Sequence, residues 1–239
     1  MFVKEIKIKS YDVDKNNNAK ISSIMKYFQQ IARENLDQFG MTYDYLREHN
    51  IVFVLTKYKF KFYKNLHCDE KFIFKTSPCD IHGVSFIRDF LIVDSDGNVC
   101  CEASSSWVII DFEKRSILRP NRLPLPIEAD PKLVDFLPDR ICTNVRERIL
   151  PCYNTTVTYS QLDANNHLNN CNYADIMTDG LFSIKSEVPF IKELDMSFDH
   201  EAAVGSELDV TYDFGENDCF ISCQNKTANL SCFTAHITY

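Results

Sequence analysis

Glycine is scarce in this chain, 6 of 239 residues, and tryptophan occurs once. Apolar residues make up 45% and aromatics 13%. That combination excludes low-complexity and disordered compositions and supplies a core. Basic residues are outnumbered, 26 Lys and Arg against 34 Asp and Glu, for a formal net charge of -8. A general nucleic-acid role is therefore not expected, because phosphate binding calls for a basic surface. No apolar run approaches the roughly 18 residues that a membrane-spanning helix needs. The first residues, Met1 to Lys9, alternate apolar side chains with Lys like a strand and lack the apolar core of a signal peptide. The expected compartment is the cytoplasm. Ten cysteines are present without a single C-x-x-C spacing. In a reducing compartment they read as buried structural thiols rather than a zinc site.

What the chain does have is a phrase said twice. Tyr11-Asp12-Val13-Asp14-Lys15-Asn16-Asn17-Asn18 precedes a helical stretch, and so does Tyr159-Ser160-Gln161-Leu162-Asp163-Ala164-Asn165-Asn166-His167-Leu168-Asn169-Asn170. Asp14, Asn16 and Asn18 fall opposite Asp163, Asn165 and His167. A repeated unit implies two similar halves. Only the second copy carries an imidazole, the side chain suited to proton transfer near neutral pH.

The pattern predicts a strand over 2–9, a helix over Ser22–Phe39 capped by Ser22 or Ser23 and ended at Gly40, and a short helix over Tyr43–Glu48. Strands follow over Val52–Tyr63, Lys71–Thr76, Val84–Val93 and Val99–Asp111, with a hairpin turn at Asp94–Asn98. Residues 112–149 read as a connector, because five of the eight prolines fall there. The second half repeats the order: a strand over 153–161, a helix over Asn170–Ile184 with a possible break at Gly180, then strands near 190–200, 206–214, 218–224 and 229–238. The fold class is α+β, each unit a long helix packed on an antiparallel sheet. The units are expected at 1–111 and 150–239.

Leu162-Asp163-Ala164-Asn165-Asn166-His167-Leu168-Asn169-Asn170 with Tyr173 resembles the LDxNxHxNNxxY motif of the acyl-acyl carrier protein thioesterases, and the resemblance extends over essentially the whole chain. It implies a tandem, or double, hotdog fold and hydrolysis of acyl carrier protein thioesters to free fatty acid. It also implies a catalytic set of Asp163, Asn165, His167 and, on the strand after the second helix, Glu201. Asn65 holds the matching place in the first half. Plant members commonly carry Cys directly after that Glu; here the residue is Ala202, so a thiol nucleophile at that place is excluded and water attack with general base catalysis is expected. His167, Glu201 and Asp163 all remain candidates for the base. Asp and Asn before a helix also act as plain caps, and Asp14–Asn18 needs no other role.

The resemblance places the acyl chain in the first unit, between helix and sheet, with Met25, Phe28, Ile31, Ala32, Val54 and Phe60 as substrate-binding candidates. It calls for no metal and no organic cofactor, since the substrate brings its own phosphopantetheine arm. The implied partner is acyl carrier protein, with a homodimer left open. Carrier protein is acidic, so Lys57, Lys59 and Lys61, alternating on one strand, are a candidate docking face. An acyl-CoA thioesterase on the same fold and a non-catalytic acyl-binding protein are the alternatives. A hotdog dehydratase fits less well, because both proton-moving candidates fall in one half.

Overall fold

The computed structural model describes residues 1–141 and 150–239; part of the predicted connector, 142–149, lies outside them. The chain divides into two compact units. The first takes Met1–Ala19 and Ser23–Pro138, and the second takes Lys20–Ser22 and the described residues from Asp139 to Tyr239. Each is a long helix set against a five-stranded antiparallel sheet.

In the first unit, β1 (Phe2–Lys7) leads through a 3-10 turn at Ser10–Asp12 to α1 (Ile21–Gln38) and α2 (Tyr43–Glu48). Four long strands follow: β2 (Ile51–Phe62), β3 (Lys71–His82), β4 (Ser85–Val93) and β5 (Val99–Asp111). A two-residue strand, β6 (Ser116–Ile117), pairs with the end of β5. The sheet order is β1-β3-β4-β5-β2. α1 buries Met25, Phe28, Ile31 and Asn35 against it. The Phe28 ring stacks on Phe90 at 4.4 Å and on Phe60 at 6.2 Å between centroids. Gly40 ends the helix in the left-handed region, φ 76°, and the Met41 amide donates back to the Leu36 carbonyl at 3.1 Å.

The second unit repeats this plan with β7 (Cys152–Thr156), a 3-10 turn at Tyr159–Gln161, α3 (Asn170–Lys185), β8 (Glu193–Phe198), β9 (Glu207–Phe214), β10 (Asp218–Asn225) and β11 (Leu230–Thr238). Its order is β8-β11-β10-β9-β7, which matches β2-β5-β4-β3-β1 strand for strand. α3 runs through Gly180 without a break. A Cβ there would stand 2.0 Å from the Tyr212 hydroxyl oxygen, which donates to the Met177 carbonyl at 3.0 Å. Gly180 is therefore a packing residue, letting a β9 tyrosine reach the helix backbone.

Several elements differ from their expected bounds for physical reasons. Ser22 and Ser23 lie inside the first turn of α1 and are buried, so neither caps it. β7 stops at Thr156 because its partner strand begins at Glu207, directly opposite. β3 runs past Pro78 to His82, because β1 ends opposite Thr76 and no neighbour on that side requires the missing N–H. β2 carries a one-residue bulge between Leu55 and Lys57. A bulge inverts the alternation of faces. Ile51, Phe53 and Leu55 point into the core before it, and Tyr58, Phe60 and Phe62 after it.

Beyond β5, Leu118, Leu123, Leu125 and Ile127 pack against the cluster of Met41, Leu46, Ile51, Phe86 and Ile109, and residues 131–134 then reach the outer side of the first sheet. The Leu133 and Val134 amides donate to the Asp89 carboxylate at 3.1 and 3.4 Å, and Ser77 donates to the Pro131 carbonyl at 2.8 Å.

Candidate active site

The loop before α3 is shaped by one carboxylate. Asp163 Oδ1 accepts from the Asn165 amide at 2.8 Å and the His167 amide at 3.4 Å, and its Oδ2 accepts from the Asn165 side-chain amide at 3.4 Å. The Asp163 amide donates to the His167 carbonyl at 2.8 Å, closing the loop on itself. Asn166 takes the left-handed conformation, φ 66°, which Asn tolerates better than most residues. Asn169 then caps α3, its side chain accepting from the Cys171 amide at 2.9 Å.

Glu201 is brought up from the segment after β8 and pinned on both sides. Asp199 and His200 donate to the Cys232 carbonyl at 2.8 and 3.4 Å, and Ser231 Oγ donates to Asp199 Oδ2 at 2.7 Å. On the other side the Leu168 amide donates to the Ala202 carbonyl at 2.8 Å. The result sets His167 Nε2 3.0 Å from Glu201 Oε2, the imidazole 26% and the carboxylate 41% exposed. This is an open, solvent-reached pair on a rigid frame. Ala202, Cys171 and Tyr173 are buried. Tyr173, the last residue of the motif, packs its ring 5.0 Å from Phe233 and belongs to the core.

The first unit holds the same loop without the pair. Asp14 Oδ1 accepts from the Asn16 and Asn18 amides at 2.8 and 2.9 Å, Asn17 has φ 64°, and the Ala19 amide donates to the Leu66 carbonyl at 2.7 Å. Ala19 thus stands where Leu168 does and Leu66 where Ala202 does. That register puts Asn18 opposite His167 and Asn65 opposite Glu201.

Of the six apolar candidates, Met25, Phe28, Ile31 and Ala32 share the buried face of α1, and Phe60 meets them from β2. Val54 does not join them. It is an even number of residues from Phe60, but the bulge at Leu55/Lys57 lies between and turns it to the other face. Lys57, Lys59 and Lys61 share the face away from α1 and are half-buried, with Lys61 Nζ 5.0 Å over the Phe136 ring. The residue that the pattern reading missed is Arg88, fully buried on β4 between Phe86 and Phe90. A charge between two phenylalanines on the same face of a strand was its visible signal. Among the described residues no group of three or more His, Cys, Asp or Glu side chains is placed to hold a metal ion.

Two helix-on-sheet units in tandem, one carrying an imidazole–carboxylate pair, define a double hotdog fold with a single equipped half. Residues 1–122 match the acyl-ACP thioesterase N-terminal domain and residues 151–236 the acyl-ACP thioesterase C-terminal domain, so the chain belongs to the acyl-ACP thioesterase family. It is 24% identical over 193 residues to a chloroplastic palmitoyl-acyl carrier protein thioesterase of Cuphea hookeriana, covering 72% of this chain and 45% of that protein. The chain spans about half the length of the curated relatives it matches. In structure it is similar to an acyl-ACP thioesterase from Bacteroides thetaiotaomicron (TM-score 0.79, 20% identity, 99% of this chain and 96% of that one). It is also similar to the 12:0-ACP thioesterase from Umbellularia californica (TM-score 0.84, 14% identity, 99% and 96%). These structural likenesses speak to the fold.

Proposed function

We propose that this protein hydrolyses acyl-ACP thioesters to free fatty acid and holo carrier protein by general base attack of water. The observation that carries the reading is the His167–Glu201 contact at 3.0 Å, in the half whose counterpart has amides at both places. Family membership and the acyl carrier protein named in its relatives support the substrate class.

His167 is the base. Its Nε2–H donates to Glu201, which fixes the tautomer and leaves the lone pair on Nδ1. A water held at Nδ1 adds its oxygen to the thioester carbonyl and gives its proton to that nitrogen. Glu201 stabilises the imidazolium so formed. The tetrahedral intermediate then collapses, breaks the C–S bond, and returns the proton from Nδ1 to the departing sulfur. Asp163 is not needed as base, because Oδ1 is already committed to backbone amides, as the Asp94 carboxylate is in an ordinary hairpin turn. Asn165 and the first turn of α3 supply donors and a positive dipole end for the developing oxyanion.

Ala202 supports direct water attack, since no thiol follows Glu201. The acyl chain lies between α1 and its sheet, against Phe28, Ile31 and Phe60. No described helix is long and apolar enough to cross a membrane, and the nine described cysteines carry free thiols, which supports a reducing, cytoplasmic setting. The test is single-turnover hydrolysis of a chain-length series on acyl carrier protein and on CoA. Activity on neither, with the protein folded, overturns the hydrolase reading; preference for CoA overturns the carrier.

A further inference from the structure

The interior of the first unit is not uniformly apolar. Across its sheet, Arg88 on β4 pairs with Ser105 on β5, and Ser105 pairs with Tyr58 on β2, so the three side chains form one row. Asn35 on α1 closes over this row. Arg88 Nη1 donates to Asn35 Oδ1 at 2.9 Å and to Thr76 Oγ1 at 3.2 Å. Thr76 Oγ1 in turn donates to the Asp89 carbonyl at 3.0 Å. On one side of the row stand Phe28, Phe60 and Phe90; on the other, Phe86 belongs to a second apolar cluster with Met41 and Ile109. A polar row therefore cuts one apolar layer in two.

Arg88 is the unusual member. It is 6% exposed and Asn35 is 2% exposed. Its two partners are neutral, and no carboxylate lies within 4.0 Å among the described residues. Its Nε and Nη2 donors have no acceptor among them either. Burial lowers its pKa to about 10, which leaves it charged at neutral pH. A buried guanidinium is normally matched by a carboxylate, since an unpaired charge in a dry interior is costly. A structural tie between α1 and β4 would be made as well by a neutral amide. What a guanidinium adds is surplus donors and positive charge, and these call for an acceptor oxygen.

We propose that Arg88, with Asn35 and Thr76, receives an oxygen carried on the acyl chain, so that the enzyme prefers thioesters of oxygenated acids, with a hydroxyl or carboxylate beyond the thioester, to plain fatty acyl chains. The inference rests on the hydrolase reading and on the acyl chain lying between α1 and its sheet. The row then divides that layer functionally, with methylenes against the phenylalanines and the oxygen at the guanidinium. A site that offers hydrogen bonds to an oxygen discriminates against the chain that lacks it.

The experiment compares wild type and Arg88→Met on matched plain, ω-hydroxy and ω-carboxy acyl-ACPs over a series of chain lengths. Wild type is expected to favour an oxygenated form by at least about tenfold in kcat/KM, as a charge-assisted hydrogen bond provides. Arg88→Met should bring that ratio to near one, with plain substrates hydrolysed as well or better. A wild-type ratio at or below one at every length, or a ratio that Arg88→Met leaves unchanged, overturns the proposal. Should the Met variant not fold, Arg88→Lys serves the same comparison: it keeps the charge, loses the second donor set, and is expected to give an intermediate ratio. Calorimetric binding of the free plain, ω-hydroxy and ω-carboxy acids to His167→Ala protein, with and without Arg88→Met, reads the same preference without turnover. If wild type hydrolyses no thioester, the hydrolase reading fails, and the calorimetric ratio alone decides whether Arg88 receives an acyl oxygen.

Discussion

The loops at Asp14–Asn18 and Asp163–His167 share a backbone and differ in side chains. Each has a carboxylate gathering the amides two and four residues on, a left-handed Asn, and a closing amide-to-carbonyl bond to the segment after the next strand. The loop thus holds its shape with no help from the residue at its end. That residue is Asn18 in one copy and His167 in the other. The same freedom exists across the gap, where Asn65 and Glu201 both flank a residue pinned by its carbonyl. The comparison teaches that the frame is structural in both halves and that an imidazole and a carboxylate stand at two of its places in one of them.

The largest break in this comparison comes from His167→Ala. Loss of a general base costs about 10²–10⁴-fold, and kcat in single-turnover hydrolysis should fall by that much with the thermal midpoint little changed. Wild-type turnover in this variant would remove the imidazole from the mechanism. Glu201→Gln comes next. It should cost about 10²-fold, at the lower end of the same range, and added to His167→Ala it should cost almost nothing more, because residues acting as a unit are not additive. An additive double variant would show that the two do not act as a pair.

Stability separates the halves in a different way. Gly180 stands opposite Ile31 in the repeat, and Gly180→Ala forces a methyl against Tyr212. Overpacking of this kind typically costs about 1–3 kcal/mol, read as a lower urea midpoint at unchanged slope. A neutral or stabilising result would mean that Tyr212 moves freely. Asp14→Ala should cost about 1 kcal/mol through its lost backbone bonds and leave kcat untouched; a fall in kcat would give the first loop a role in catalysis. The smallest effect is expected of Asn18→His, with turnover within about twofold of wild type (roughly 0.4 kcal/mol), because the first unit has Asn65 where Glu201 would be needed.

How far the chain could be read from its residues depended on how local the cause was. The α1 boundary at Gly40, the Asp94 turn and the alternating strands follow from neighbours in sequence, and all were legible. So was the pairing of Asn65 with Glu201, because the repeat supplied its own ruler. What was not legible depends on the partner strand. β7 ends where β9 begins, and β3 passes Pro78 because β1 has already stopped. Val54 and Phe60 part company because of a bulge that no residue between them announces. Arg88 is a middle case. Its charge was visible within a strand, but only the register of β4 against β5 and the closure of Asn35 show that it is buried and under-matched.

The bulge in β2 has a consequence for insertions and deletions. Beyond it, Tyr58, Phe60 and Phe62 alternate with Lys57, Lys59 and Lys61, and one residue of chain decides which set meets α1. Removing Thr56 would leave Leu55 and Lys57 consecutive, opposite Trp107 and Ser106, which already follow one another on β5. The strand would lose its bulge and keep its faces, with Tyr58, Phe60 and Phe62 still toward α1. Removing Lys59 instead would turn Phe60 and Phe62 out and carry Lys61 under the helix, so the protein would lose a core wall without losing a single apolar side chain. A gap of one is harmless to the faces at the bulge and ruinous a few residues beyond it.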